Sequence, residues 1–376
     1  MAGIYIHIPF CRQACTYCNF HFSTTLGLRE PLLNALNKEI ILTTQNKQIL
    51  ETIDTIYIGG GTPSLLTPQE INDLMLTINQ HFTVNNQAEL TLEANPDDIT
   101  RDNLKQWIHV GINRLSLGVQ SFNEAELKWM NRAHNAGQSQ QSIDDIISAG
   151  FSNFSVDLIY GSPLLSNKDF TKNLQTVISK GIPHLSAYAL TVEPKTALHS
   201  FINKKKISPI DESRQAEQFD ILVQMMEAAG YEQYEISNFA KPGFRSRHNS
   251  SYWQGKTYYG FGPAAHSFDG KNIRSWNVSN NALYIKSIDQ NLIPFEHEIL
   301  TSIQQLNERI MISLRLIEGL NLENVIAEFG ESFADEIKRN ARKFITDQTL
   351  IQTNKTLKLT KAGRFFADGI AAKLFF

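Results

Sequence analysis

Cys11-Arg12-Gln13-Ala14-Cys15-Thr16-Tyr17-Cys18 holds all three cysteines of a 376-residue chain. A buried structural cysteine packs as a small hydrophobe and has no reason to congregate. An odd count argues against a disulfide framework. A closed structural zinc site needs four ligands, and His21, shortly after Cys18, could complete a Cys₃His set. An iron–sulfur cubane on three thiolates would instead leave one iron open to a ligand from outside the protein. Three unligated thiols remain the third reading.

Outward from this stretch, short apolar runs alternate with longer helical patterns. The runs are Ile4–Ile8, Thr55–Ile58, Glu89–Leu92, Arg114–Leu117, Phe154–Ile159 and Leu185–Leu190. The spacing predicts helices over Pro31–Thr44, Pro68–His81, Thr100–Val110, Ser139–Ala149 and Asp169–Ser179. Thr67-Pro68 and Thr100 suit helix starts, and Gly111, Gly150 and Gly181 stand where a helix C-terminus wants glycine. Strands this uniformly apolar are covered on both faces, as in a parallel sheet with helical crossovers. Six such units predict an α/β fold with an open, partial (β/α)₆ barrel rather than the full eight.

After a further helix over Asp211–Gly230 the alternation stops. Three regions follow from this: a barrel over 1–230, an aromatic-rich irregular segment with short strands over 231–298, and a C-terminal domain over 299–376. In the last, helices over Ile303–Leu316, Leu322–Glu328 and Phe333–Phe344 precede a hairpin of Leu350–Thr353 and Thr356–Leu359. Thr360 then caps a helix running towards Leu374. Helices followed by a two-stranded wing are winged-helix-like. This domain has no arginine-rich face, and the chain's net charge is −3, so packing or partner docking is expected and not nucleic acid. Composition shows no stretch able to span a membrane, and Met1-Ala2-Gly3-Ile4-Tyr5 does not read as a signal peptide. Clustered thiols without an export signal imply a reducing, cytoplasmic setting.

Polar residues gather at the ends of the predicted strands. Gly59-Gly60-Gly61-Thr62-Pro63-Ser64 follows the second strand, and its glycines permit close approach of backbone to a ligand. It lacks the Gly-Lys-Ser/Thr of a phosphate-binding P-loop. Glu93 ends the third strand, Gln120 ends the fourth, and Asp157 interrupts the apolar fifth, where a carboxylate needs a partner. In a parallel barrel these strand ends open on one mouth together with the Cys loop.

Five segments carry a specific resemblance. Tyr5-Ile6-His7-Ile8-Pro9-Phe10-Cys11, the Cys triplet with its C-x3-C-x2-C spacing, the Gly-Gly-Gly-Thr-Pro turn, Asn113–Phe122 and Asp157–Gly161 together resemble the HemN/HemW branch of the radical S-adenosylmethionine (SAM) superfamily. The resemblance covers the whole chain. It implies a [4Fe–4S] cluster on Cys11, Cys15 and Cys18, with SAM on the open iron. It further implies SAM contacts from Tyr5, Tyr17, Gly60, Gly61, Thr62, Glu93, Gln120, Arg132, Asp157 and Ala189. Glu93 suits the methionyl amine, Arg132 the carboxylate and Asp157 the ribose hydroxyls. Arg132 does not stand at a strand end, so its reach rests on the resemblance alone.

The branch divides into an oxygen-independent coproporphyrinogen III dehydrogenase and a heme chaperone without that activity. The dehydrogenase carries a fourth cysteine two residues beyond the third, where this chain has Phe20, and a segment before the first strand, which here starts by about Ile4. His248-Asn249-Ser250-Ser251-Tyr252-Trp253 matches the H-N-x-x-Y-W signature of the chaperone. The expected function is therefore a heme chaperone that passes heme to an acceptor protein, a membrane-bound respiratory hemoprotein being one candidate, with an electron donor serving the cluster. The alternatives are the dehydrogenase and a Cys₃His zinc protein. His248 and Tyr252 are the expected heme ligands, since imidazole and phenolate suit iron, and Trp253 could offer a stacking face. His266, His7 and His21 are lesser candidates. The competing reading of His248 is a hydrogen bond tying its segment to the barrel.

Overall fold

The apolar runs pair side by side in the order in which they occur along the chain. In the computed structural model, which describes residues 2–46 and 49–376, strand β1 (Ala2–Ile8) is followed by helix α1 (Arg29–Asn46). Met1, first residue of the amino-terminal stretch read above, lies outside the described residues. Strand β2 (Ile53–Gly60) leads to α2 (Pro68–His81), and β3 (Val84–Ala94) to α3 (Arg101–His109). Strand β4 (Arg114–Gln120) leads to α4 (Glu124–Trp129) and α5 (Ala136–Ser148), and β5 (Phe154–Tyr160) to α6 (Asn167–Ser179). Strand β6 (His184–Ala189) leads to α7 (Ala197–Asn203) and α8 (Glu212–Ala228). Each of these six strands pairs parallel with the next.

The local signals act as the chemistry requires. Thr67 caps α2 in a reciprocal capping box with Glu70, with Pro68 at the first helical position. Gly111, Gly150 and Gly181 all take positive φ just after α3, α5 and α6. Two short helices, α4 and α7, carry no strong periodicity and were not anticipated. β3 begins at Val84 rather than Glu89, because its first turns are exposed and polar.

Residues 231–298 are more regular than composition implies. They form β7 (Glu232–Glu235), β8 (Asn238–Ala240), α9 (Arg247–Trp253), β9 (Tyr258–Phe261), β10 (His266–Phe268), β11 (Ile273–Asn277), α10 (Asn281–Asp289) and β12 (Phe295–Ile299). These strands extend both edges of the barrel into one sheet, ordered β12-β11-β10-β9-β1-β2-β3-β4-β5-β6-β8-β7. β9 joins β1 in parallel, while β8 joins β6 antiparallel. The sheet therefore ends in β12 and β7 and stays open. Strands of three to five residues are too short to show an alternation that reads as a strand.

The C-terminal region has its own core. It contains α11 (Ser302–Arg315), β13 (Leu320–Asn321), α12 (Leu322–Phe329), α13 (Glu331–Thr346), β14 (Leu350–Thr353), β15 (Thr356–Leu359), α14 (Lys361–Arg364) and α15 (Ala367–Ala372). Leu306, Ile310, Ile337, Leu357 and Leu374 pack together there, apart from the barrel core that runs from Ala2 to Ile288. The hairpin falls where it was expected. The last helix is broken instead of continuous: Gly363 presses against the Thr349 carbonyl, where any Cβ would collide, and Phe365 turns onto Phe219.

A buried carboxylate locks the added strands to the barrel. Glu39 on α1 accepts from Tyr284 Oη at 2.5 Å, Asn277 Nδ2 at 2.6 Å and Gly262 N at 2.8 Å. Burial raises its pKa to about 7. Glu39→Ala takes the carboxylate from Tyr284 Oη and Gly262 N and leaves Asn277 Nδ2 with the Gly262 carbonyl alone, so it should destabilise the fold by on the order of 3 kcal/mol. Urea denaturation monitored by circular dichroism measures this, and a loss below about 1 kcal/mol contradicts the role given to Glu39.

Candidate functional site

The Cys loop leaves β1 at the barrel mouth and is tied down by backbone. Cys11 N donates to Ser23 O at 3.0 Å, and Ser23 N to Pro9 O at 2.8 Å. Thr62 N reaches Phe10 O at 2.7 Å, which binds the loop to the glycine turn after β2. At Gly61 a Cβ would lie 2.7 Å from Phe10 O, and at Gly60, φ +113°, 2.7 Å from the His7 ring. Only glycine lets these two segments touch. On the other side, Thr16 N donates to Met130 O and Asn131 Nδ2 to Ala14 O.

Those last contacts explain Arg132. Helix α4 ends at Trp129, and Asn131, at φ +57°, turns the chain back so that Arg132 enters the mouth. Its Nη1 lies 3.3 Å from Cys15 Sγ, and its Nη2 donates to Asn95 Oδ1 at 2.6 Å and Gly118 O at 2.8 Å. Its Nε is buried without a hydrogen-bond partner.

Cys11, Cys15, Cys18, Tyr17, Gly60, Gly61, Thr62, Glu93, Gln120, Arg132, Asp157 and Ala189 all line one cavity of about 360 Å³. Glu93 accepts from Tyr57 Oη at 2.7 Å and Gly60 N at 2.9 Å. Burial raises Glu93 to about 7 and Asp157 to about 6, and pushes the Cys18 thiol up to about 11. Two carboxyls held this way favour a cationic guest, which would restore their charge. Three soft thiols beside a half-buried guanidinium with an unused N–H form a donor set suited to an anionic iron–sulfur cluster. Asn95, Tyr57 and Ser186 also face the cavity or its carboxylates and were missed in the sequence. Asn95, polar and directly before a proline at a strand end, was a readable signal; Tyr57, inside an apolar run, was not.

Tyr5 lines a second, larger cavity of about 1120 Å³ between the sheet and the C-terminal domain. So do Tyr252, Trp253, His7, His21 and His266. His21 Nε2 lies 2.7 Å from Asn281 Oδ1 and turns to this cavity rather than to the thiols. The Cys₃His arrangement therefore lacks its fourth ligand, and among the described residues no three His, Cys, Asp or Glu side chains converge on one metal-ion position.

His248 departs from expectation. It is 1% exposed and lines neither cavity. Nδ1 lies 2.8 Å from Thr55 Oγ1 and Nε2 2.8 Å from Tyr252 Oη. The ring stacks on Tyr57 with centroids 5.0 Å apart, and burial lowers its pKa to about 3. Glu89 caps its helix by accepting from the N–H groups of Arg247 and His248. Both ring nitrogens are engaged, so in this conformation it offers iron no lone pair. It fixes α9 to β2 and holds Tyr57 beneath Glu93. Tyr252, in contrast, reaches the large cavity.

The fold and the cluster-ready mouth define a radical SAM protein with an appended C-terminal domain. The family models agree: the radical SAM superfamily matches residues 5–177 and the HemN C-terminal domain residues 300–366. The structure of coproporphyrinogen III oxidase (HemN) from Escherichia coli, a radical SAM enzyme, shares the fold, with a TM-score of 0.85 over 100% of this chain and 90% of that one at 23% identity. The heme chaperone HemW of Bacillus subtilis is 35% identical over 376 residues, 98% of each chain. The heme chaperone HemW of Mycobacterium tuberculosis is 33% identical over 377 residues, 99% of this chain and 94% of that one. The chain belongs to the HemW family.

Replacing His248 with Ala removes a stacked ring and takes the imidazole partner from the buried Thr55 hydroxyl and from Tyr252 Oη. The variant should lose on the order of 3 kcal/mol of folding stability in a denaturant titration. Unchanged stability contradicts the anchoring role.

Proposed function

We propose that this protein is a heme chaperone that holds a [4Fe–4S] cluster and SAM in the smaller cavity and passes heme to an acceptor protein. The observation that carries the first half is the convergence of all three thiols, Glu93, Arg132 and Asp157 on one cavity. The names of its relatives support the second half. Cys11, Cys15 and Cys18 would hold the cluster, which when bound supplies single electrons and one iron open to the SAM amine and carboxylate.

The chain's own residues do the rest. Arg132 places positive charge against Cys15 and keeps an N–H free for an anionic group. Glu93, braced by Tyr57, accepts from the N–H groups of the amine. Asp157, with Ser116 and Ser186 beside it, accepts from hydroxyls. Phe20, 68% exposed, supplies neither a thiol nor an acid, in keeping with a protein that does not decarboxylate coproporphyrinogen III.

Anaerobic reconstitution should give about four irons per chain, lost on changing Cys11, Cys15 or Cys18 to Ala. SAM should perturb the EPR spectrum of the reduced cluster, and added heme should give a Soret band without any turnover of coproporphyrinogen III. Stoichiometric zinc without iron uptake, or steady formation of protoporphyrinogen IX, overturns this reading.

A pH dependence follows from Glu93. Below about 7 its carboxyl is protonated and accepts poorly from the N–H groups of the SAM amine; above it the carboxylate is present and accepts well. SAM affinity should therefore rise from pH 6 to pH 8 and level off, by calorimetry under anaerobic conditions. Glu93→Gln should bind more weakly and lose the slope. A flat wild-type profile contradicts the assignment of Glu93 to the amine.

A further inference from the structure

Four histidines near the site differ in what their ring nitrogens have left to give. His248 has spent both. His7 has also spent both, between Tyr5 Oη at 3.1 Å and the His21 carbonyl at 2.9 Å. His21 faces the Asn281 side-chain amide, whose oxygen and nitrogen can exchange places, so its tautomer is not fixed. His266 uses one ring nitrogen only, and a group that can only accept sets it: Nδ1 lies 3.1 Å from the Ala264 carbonyl, and among the described residues Nε2 has no hydrogen-bond partner. Nδ1 therefore carries the hydrogen, and Nε2 carries the lone pair.

This is the arrangement by which proteins orient an imidazole for a metal, with the far nitrogen donating to a backbone carbonyl. It is maintained against a cost. Ala264 sits at φ +62°, a left-handed conformation that a residue with a Cβ rarely adopts. That turn directs the carbonyl onto the imidazole. The ring itself is solvent-accessible, lies 6.1 Å from Trp276, and borders the 1120 Å³ cavity.

The cavity suits a flat apolar macrocycle with acidic edges. Its walls include Tyr258 and Phe268 from the sheet and Ile312 and Phe329 from the C-terminal domain. Lys195 and Lys271 also line it, and among the described residues neither is in an ion pair, so both cations are available to carboxylates. At about 1120 Å³ it is roughly three times the volume of the thiol cavity, with Asn19 and Phe20 bordering both.

We propose that heme is carried in the cavity between the sheet and the C-terminal domain, with His266 Nε2 as the axial ligand to iron and Lys195 and Lys271 facing the propionates. The inference rests on the heme-chaperone reading above. It moves the ligand from the buried His248 to the strand β10 that the sheet extension supplies, and it gives the C-terminal domain a role as the cavity's outer wall.

The test titrates heme into the full-length, anaerobically reconstituted chain and reads the Soret band, the dissociation constant, iron–sulfur content and SAM binding. His266→Ala should shift the Soret band and weaken heme by about tenfold or more, with cluster and SAM unchanged. Ile312→Trp, which fills the cavity without touching the ligand, should also weaken heme. Lys271→Glu should raise the dissociation constant with the Soret position retained. If His266→Ala binds with unchanged spectrum and affinity, or if His21→Ala produces the shift instead, the ligand assignment is overturned. If Ile312→Trp binds as the wild type does, the cavity assignment is overturned. Wild-type protein that loads its cluster and binds no heme overturns the chaperone reading itself, which separates that failure from this one.

Discussion

A half-buried guanidinium holds the site together. Arg132 bonds at once to Cys15 Sγ, the Asn95 side chain and the Gly118 carbonyl, and so joins the loop after β1, the end of β3 and strand β4. A buried charge is costly unless its partners compensate it, and here carbonyl dipoles and a sulfur do so only in part, since Nε has none. That incompleteness is informative. A thiolate-bound anionic cluster or a carboxylate would complete the set, so the same interaction that orders the mouth also predisposes it to its ligand. The loop itself has little core of its own and relies on Arg132, the Thr62–Phe10 bond and the Thr16–Met130 bond for its position.

Beneath the mouth a second layer sets the carboxylates. His248 stacks on Tyr57, Tyr57 donates to Glu93, and Glu89 caps the helix that carries His248. The H-N-x-x-Y-W segment thus reaches the thiol cavity, through this packing and through Asn249, which lines it. Its other end, Tyr252, faces the large cavity. One short helix therefore touches both compartments, the thiol cavity through Asn249 and the large cavity through Tyr252 and Trp253.

Much of this was legible in the sequence, for reasons that are local. The six parallel strands announce themselves because burial on both faces leaves continuous apolar runs, and α2 because Thr67, Pro68 and Glu70 specify its start. The thiols and the glycine turn are legible because few structural needs explain them. Arg132 was not: its approach depends on α4, a helix of six residues, and on a left-handed Asn131. The strands over 232–299 were hidden because each is only three to five residues long. For His248 the sequence left two readings open, because a histidine in an aromatic motif looks the same whether it binds iron or fills a core. Only its three-dimensional partners distinguish the two.

The central claim is that two separate compartments serve cluster chemistry and heme carriage. Iron-edge anomalous diffraction from crystals of the reconstituted chain with SAM and heme tests it most directly. The account predicts two distinct iron sites, one enclosed by Cys11, Cys15 and Cys18 and the other beside His266 in the large cavity. Heme iron bound at His248, or a heme seated in the thiol cavity, would contradict it.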